Sequence, residues 1–200
     1  MVAYDYRQKL RESQEAGLQQ KLDRVYRRFF PAEAIQELET SDDFGFQTSG
    51  RDVWVRLRGP RDGCVQMSIF ETIEEKIRSP ERSQYDDLLI EYLSNAERGT
   101  LGWIYTSQAD WLSYVRQPGG RLQVLLIPML PLRRWFEANR DRLGRDFCAQ
   151  TQLGSGVRYT TVNKAIPLND RDFKVFMQAH GVRRWPMTKA DEDNTNGDGA

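Results

Sequence analysis

The 200-residue chain predicts an α+β fold, a mixed central sheet flanked by helices. Three observations carry this reading. Apolar residues recur at helical spacing near the N-terminus and again around 130–141 and 170–180. Between these stretches lie short segments in which apolar and polar residues alternate with period two, the pattern of strands with one buried face. The resulting order, helices, several strands, a helix, strands and a closing helix, fits layers packed around a central sheet.

The elements follow in order. Residues 4–28 read as a helix, with Leu10, Leu18, Leu22, Val25 and Tyr26 as its apolar stripe and Phe29-Phe30-Pro31 as its end. Glu12 and Glu15 on this helix read as solvated charges. A second short helix is expected over 32–39. Residues 40–51 are acidic and turn-rich, and they lead into Asp52. Val53, Val55 and Leu57 then alternate with Trp54, Arg56 and Arg58 as a strand. Gly59-Pro60-Arg61-Asp62-Gly63 is turn chemistry. Residues 64–77 return as an antiparallel strand, with Val65, Met67, Ile69, Ile73 and Ile77 on one parity. Its length suggests a bulge near Phe70–Thr72.

After a loop at 78–83, the unbroken apolar run Leu88–Leu93 predicts a core strand buried on both faces. Residues 102–106 read as a short strand or turn. Strands are expected at 109–115, 122–128, 147–150 and 158–163, with Pro118-Gly119-Gly120 turning the chain between the first two. Residues 130–141 and 170–180 read as helices, Pro131 being tolerated in a first turn. This describes one domain over 1–187, followed by a polar, Gly/Asn-rich tail at 188–200 that is expected to be disordered.

Composition narrows the function classes. No apolar run is long enough to span a membrane, and the N-terminus lacks the apolar core of a secretory signal, so a cytoplasmic protein is expected. Lys plus Arg equals Asp plus Glu at 29 each, so net charge does not vote for a polyanionic partner. Arginine is preferred over lysine, which suits bidentate phosphate contacts. Cys64 and Cys148 are too few for a cysteine zinc site or a disulfide framework, and both read as buried free thiols. The single histidine, His180, rules out a histidine-cluster metal site. A metal would therefore have hard oxygen ligands, which points to Mg2+ or Mn2+. No phosphate loop, dinucleotide fingerprint or nucleophile elbow is present.

The chemistry concentrates between Ser49 and Glu91. Asp52 heads one strand, Glu74-Glu75-Lys76 lies near the end of the returning strand, and Glu91 follows an apolar run. Period two puts Glu74 and Lys76 on one face. Asp52 reaches them only if the hairpin register brings it there. Clustered carboxylates repel unless a divalent cation neutralises them, and that cation would polarise a phosphodiester. Lys76 would then position water or stabilise charge on the phosphate. Glu91 is a further ligand candidate, or a group orienting one. Glu75 is the rival, either through its backbone or through its carboxylate if the register slips by one residue. Arg56, Arg58, Arg78 and Arg82 flank these acids and read as nucleic-acid phosphate contacts. Most of the aromatic residues read as core, and the competing account of the charges is solvated strand edges.

In combination, Gly50-Arg51-Asp52, a hairpin, Ile73-Glu74-Glu75-Lys76-Ile77-Arg78 and Leu89-Ile90-Glu91 resemble the PD-(D/E)XK nuclease superfamily, closest to its small phage- and prophage-type members. Glu91-Tyr92-Leu93-Ser94-Asn95, Leu101-Gly102-Trp103 and Ala109-Asp110-Trp111 extend the likeness over roughly 45–140. Arg51, Glu75 and Leu101 depart from the commoner residues at their positions, and none removes a catalytic group. The resemblance implies a restriction-endonuclease-like core and magnesium-dependent hydrolysis of DNA. Asp52, Glu74 and Lys76 would be the catalytic set, with the metal at the two acids. Since many nucleases that cut both strands act as dimers, a homodimer is compatible with this, although no dimer stripe stands out. The alternative expectation is a catalytically inactive nucleic-acid-binding or protein-interaction module.

Overall fold

Two apolar surfaces on one sheet decide the architecture. The computed structural model describes residues 16–30, 34–40, 50–62, 65–79, 82–152 and 158–186. The expectations for residues 4–15 with Glu12 and Glu15, for Cys64 and for the 188–200 tail lie outside them. Helix α1 (Ala16–Phe29) carries Leu22, Val25, Tyr26 and Phe29 on one buried stripe. That stripe packs on Val53, Val55, Ile73, Val115, Val124 and Leu126, all on one face of a six-stranded sheet. In spatial order the strands are β1 (Ile35–Thr40), β2 (Val53–Asp62), β3 (Val65–Ile77), β6 (Trp111–Arg116), β7 (Gln123–Pro128) and β10 (Arg183–Trp185). All neighbours pair antiparallel except β3 and β6, which are parallel, so the sheet is mixed as expected.

A parallel pair needs a crossover. Here it contains β4 (Asp87–Asn95), β5 (Thr100–Leu101) and the one-turn helix α2 (Trp103–Thr106). β4 joins a separate antiparallel sheet, ordered β5, β4, β9 (Arg158–Pro167), β8 (Phe147–Gln152). Leu88, Ile90 and Ile166 of this sheet meet Leu112, Tyr114, Leu125 and Ile127 of the first in a second core. Helices α3 (Met129–Asn139) and α4 (Arg171–Ala179) complete that core with Leu132, Phe136, Phe173 and Phe176. Asp170 caps α4 by accepting the Phe173 N–H at 2.9 Å.

Several expectations need correction. Residues 35–40 form strand β1, not a helix. Its register with β2 shifts between Ile35 and Glu37, and the inserted residue brings Ile35 and Leu38 to the same core. The apolar i, i+3 spacing is thus a bulged strand that mimics a helical turn. In the hairpin the bulge lies between Arg58 and Arg61, whereas pairing through Phe70–Thr72 is continuous. β2 therefore runs through Gly59 and Pro60 to Asp62, the proline being tolerated at the irregularity. β4 is not buried on both faces: Leu88 and Ile90 are buried, while Leu89 and Tyr92 are partly exposed. Residues 103–106 are helical, and β10 was not foreseen. Cys148 is exposed, because it stands on edge strand β8. No helix among the described residues is long and apolar enough to cross a membrane.

Candidate functional site

β3 carries alternating residues into two different environments. Ile73 and Glu75 face α1, where the Tyr26 hydroxyl donates to Glu75 Oε1 and lies 2.8 Å from Ser113 Oγ. Glu74 and Lys76 face the other way, into a pocket of about 200 Å³. Gly50, Glu91, Ser94, Leu101, Trp103, Thr106 and Ser107 form its remaining walls. The register separates the two glutamate side chains: Glu74 enters the pocket and Glu75 is on the opposite side of the sheet.

Glu74 is the most confined of the pocket acids, at 2% exposure. Its Oε1 pairs with Lys76 Nζ, and its Oε2 is buried with no hydrogen-bond partner among the described residues. The Lys76 ammonium also lies 5.7 Å from the centre of the Trp103 ring, within cation–π range. Gly50 makes this confinement possible. It holds a left-handed φ of 71°, and a Cβ there would stand 2.6 Å from Glu74 Oε2 and 2.7 Å from Ser107 Oγ. Only glycine lets the backbone lie directly over the carboxylate.

Glu91 reaches the same pocket from β4. Its carboxylate faces the backbone N–H of Trp103, at the start of α2. Burial raises its pKa, against the opposing pull of Lys76 and that N–H. The α2 turn sits tightly on β4: Gly102 N donates to Tyr92 O at 2.9 Å, and a Cβ on Gly102 would be 2.4 Å from Glu91 O. Arg133 of α3 fixes the far end of the turn, donating to Ile104 O at 2.6 Å and Ser107 O at 2.7 Å. Glu91, Trp103, Thr106 and Ser107 are therefore held by backbone packing and one partly buried arginine.

Asp52 stands at the same end of the hairpin but does not line the pocket. Its N–H donates to Ile73 O at 2.9 Å, and its Oδ2 accepts the Glu75 N–H at 2.7 Å. The side chain thus extends the β2–β3 ladder by one acceptor. Burial raises its pKa, while the Glu75 N–H and Lys76 pull it down and Glu74 pushes it up. It feels both pocket charges without sharing their pocket.

The four arginines are placed unevenly. Arg78 bonds Asp87 and donates to the Tyr114 hydroxyl at 2.7 Å and to Arg82 O at 2.9 Å. With its side chain 8% exposed, it ties β3 to β4 rather than facing solvent. Arg82 is exposed in the connection between these strands. Arg56 pairs with Glu37 at 3.7 Å and lies over Phe70, and Arg58 is exposed. Arg56 sits opposite Phe70 and Arg58 opposite Ser68, four and six residues before Glu74. At about 3.3 Å per residue this is roughly 13 and 20 Å along the strand. Asp110 has a structural role, its Oδ2 accepting Thr72 N and Oγ1 at 2.8 and 2.7 Å.

Sequence reasoning missed Thr106 and Ser107. A four-residue helix rich in aromatic and β-branched residues, Trp-Ile-Tyr-Thr, offers no periodicity to detect.

Among the described residues, no three histidine, cysteine or acidic groups converge as a metal cage. The donors that do meet, Glu74 and Glu91, are hard oxygens, and Glu74 Oε2 is a buried carboxylate oxygen without a partner. Magnesium commonly takes one or two carboxylates and completes its shell with water and substrate phosphate. The pocket fits that mode with Glu74 and Glu91, both among the expected metal ligands, while Asp52 stands outside its lining with its Oδ2 on the Glu75 N–H. No protein-family model, curated protein or solved structure matches the chain.

Proposed function

We propose that the chain is a metal-dependent nuclease that hydrolyses DNA phosphodiester bonds at the Glu74–Lys76–Glu91 pocket. The observation that carries this reading is one buried carboxylate holding an ammonium on one oxygen and leaving the other without a partner among the described residues, with a second carboxylate in the same pocket. Glu74 and Glu91 would hold Mg2+ or Mn2+, with Asp52 behind them. Such an ion supplies Lewis acidity toward a phosphate oxygen and a more acidic water. Lys76, fixed by Glu74 and backed by the Trp103 ring, presents its charge to the phosphate as negative charge builds on it. Gly50 and α2 hold Glu74 and Glu91 in place, so the site needs little rearrangement to act. The sequence resemblance points to the same reaction and to Asp52, Glu74 and Lys76. A DNA substrate agrees with a cytoplasmic location, and cutting both strands would use a homodimer.

Lys76→Ala is expected to lower magnesium- or manganese-dependent cleavage of plasmid and oligonucleotide DNA by at least about 100-fold. Equal cleavage by the wild type and this variant, at the level of background, overturns the proposal.

A second reading is a non-catalytic binding module. It is favoured by the Lys76 ammonium on Glu74, which already offsets the charge of the buried carboxylate without a metal ion. A melting temperature unchanged by millimolar Mg2+ or Mn2+ supports this reading, because a ligand of the native state raises it.

A further inference from the structure

A second hollow adjoins the Glu74–Lys76 pocket. Its volume is about 440 Å³, and it is lined by Tyr92, Leu93, Leu101, Tyr105, Glu137 and Arg140. Leu101, 50% exposed, belongs to the walls of both. The two recesses are built from the same short segments. β4 sends Glu91 and Ser94 to the first and Tyr92 and Leu93 to the second, while α2 sends Trp103 to the first and Tyr105 to the second. A molecule lying over Leu101 would touch both.

The walls of the second hollow are aromatic and aliphatic, and its polar groups sit at the rim. Tyr92 and Tyr105 both back onto Phe136 of α3, with ring centroids 6.2 and 6.4 Å away, so neither ring is free to swing. The Arg140 guanidinium lies 5.6 Å from the centre of the Tyr92 ring. Glu137 and Arg140 stand with Tyr105 at the mouth, a carboxylate and a guanidinium near one phenol, and Arg140 also pairs with Asp141 at 3.6 Å. The floor suits a flat, poorly hydrated ring. The carboxylate accepts N–H groups, and the guanidinium donates to ring nitrogens and carbonyl oxygens. A free phosphate would meet the Glu137 charge, and an aliphatic chain would leave both rim groups unused. A nucleobase uses all three features.

We propose that this hollow receives an unstacked nucleobase next to the phosphate held at Glu74 and Lys76, and that the substrate class is therefore single-stranded nucleic acid or a frayed strand end. This rests on the phosphodiesterase reading of the first pocket. Bases paired inside a duplex cannot enter a recess walled by Tyr92 and Tyr105 without first being unpaired and unstacked, which opposes binding. A single strand has no such barrier.

The test uses full-length Lys76→Ala protein without metal and three fluorescein-labelled probes, read by anisotropy. The probes are a single-stranded DNA 12-mer, the same strand annealed to its complement, and a 12-mer of the same length made entirely of abasic sugar-phosphate. The single strand is expected to bind at least about tenfold more tightly than either of the others. Tyr105→Ala is expected to weaken binding of the base-bearing strand about tenfold and to leave the abasic strand unchanged. Glu137→Ala lies at the exposed rim, where folding is not at risk, and is expected to weaken the base-bearing strand alone, by a few-fold. Equal binding of base-bearing and abasic strands, or no binding of either, overturns the base site. If that result comes with metal-dependent cleavage by the wild type, the nuclease reading survives and only the base site falls. Base-selective binding without cleavage leaves the base site standing and removes the nuclease.

Discussion

Glu74 and Glu75 are neighbours in the chain and opposites in chemistry. Glu74 opens to a pocket, meets an ammonium on one oxygen and keeps the other without a hydrogen-bond partner among the described residues. Glu75 enters the layer between the sheet and α1, where its partner is the Tyr26 phenol and no cation among the described residues is paired with it. Burial there pushes its pKa up to about 7, against the pull of the Tyr26 hydrogen bond, with Asp52 adding repulsion. Burial and the nearby Glu75 likewise hold the Tyr26 phenol well above its usual value of 10.0. A strand that alternates residues can thus place one carboxylate for use and the next for structure. What separates them is the presence of a counter-charge and an opening, not residue type.

The widest expected gap between the two is in activity. Glu74→Gln is expected to lower metal-dependent DNA cleavage by at least about 100-fold, and Glu75→Gln to leave kcat within about threefold. Equal losses in a plasmid-nicking assay would abolish the distinction between the two faces.

The next effect is on the pH dependence of stability. The Glu75 carboxyl is held above its ordinary value of 4.5, up to about 7, so the fold prefers its neutral form. That contribution is fully present below pH 4.5 and is lost as pH rises to about 7, after which it levels off. The loss is about 3 kcal/mol at 1.36 kcal/mol per pH unit. Urea unfolding between pH 4 and 8 should show the decline in wild type and a flatter profile in Glu75→Gln.

A smaller effect is expected for Tyr26→Phe. The change strips Glu75 of its donor and Ser113, fully buried, of its hydroxyl partner. A loss of about 2 kcal/mol is expected from denaturant midpoints, together with a further rise in the Glu75 pKa. No loss would mean that the network contributes little and that burial alone holds Glu75 neutral.

Period-two alternation made the shared face of Glu74 and Lys76 legible, because it needs only local geometry. The mixed sheet, the antiparallel hairpin and the closing helices followed from the same kind of pattern. What alternation does not reach is longer-range pairing. Asp52 adjoins a register unbroken from Val53–Ile73 to Arg58–Ser68, and its Oδ2 accepts the Glu75 N–H, a contact that no local pattern announces. Ile35 and Leu38 gave a helical spacing because an inserted residue turned a strand. Arg78 was read as a phosphate contact from its nearness to the acids, yet Asp87 and Tyr114, the latter 36 residues away in the chain, take its guanidinium. The Leu88–Leu93 run carried no sign that it joins a second sheet, because apolar continuity does not name a partner.

The Arg78–Asp87 pair closes the ends of the segment that leaves one sheet and enters the other. Between them the described residues form no strand, and the Ser83 hydroxyl bonds back to Ser79 O at 3.0 Å. A protein expressed as two polypeptides broken within 82–85 would retain this clasp, along with the two cores each fragment helps to complete. The break would separate Glu74 and Lys76 on one fragment from Glu91 on the other. The pocket would then be a readout of reassembly, complete only when both pieces meet.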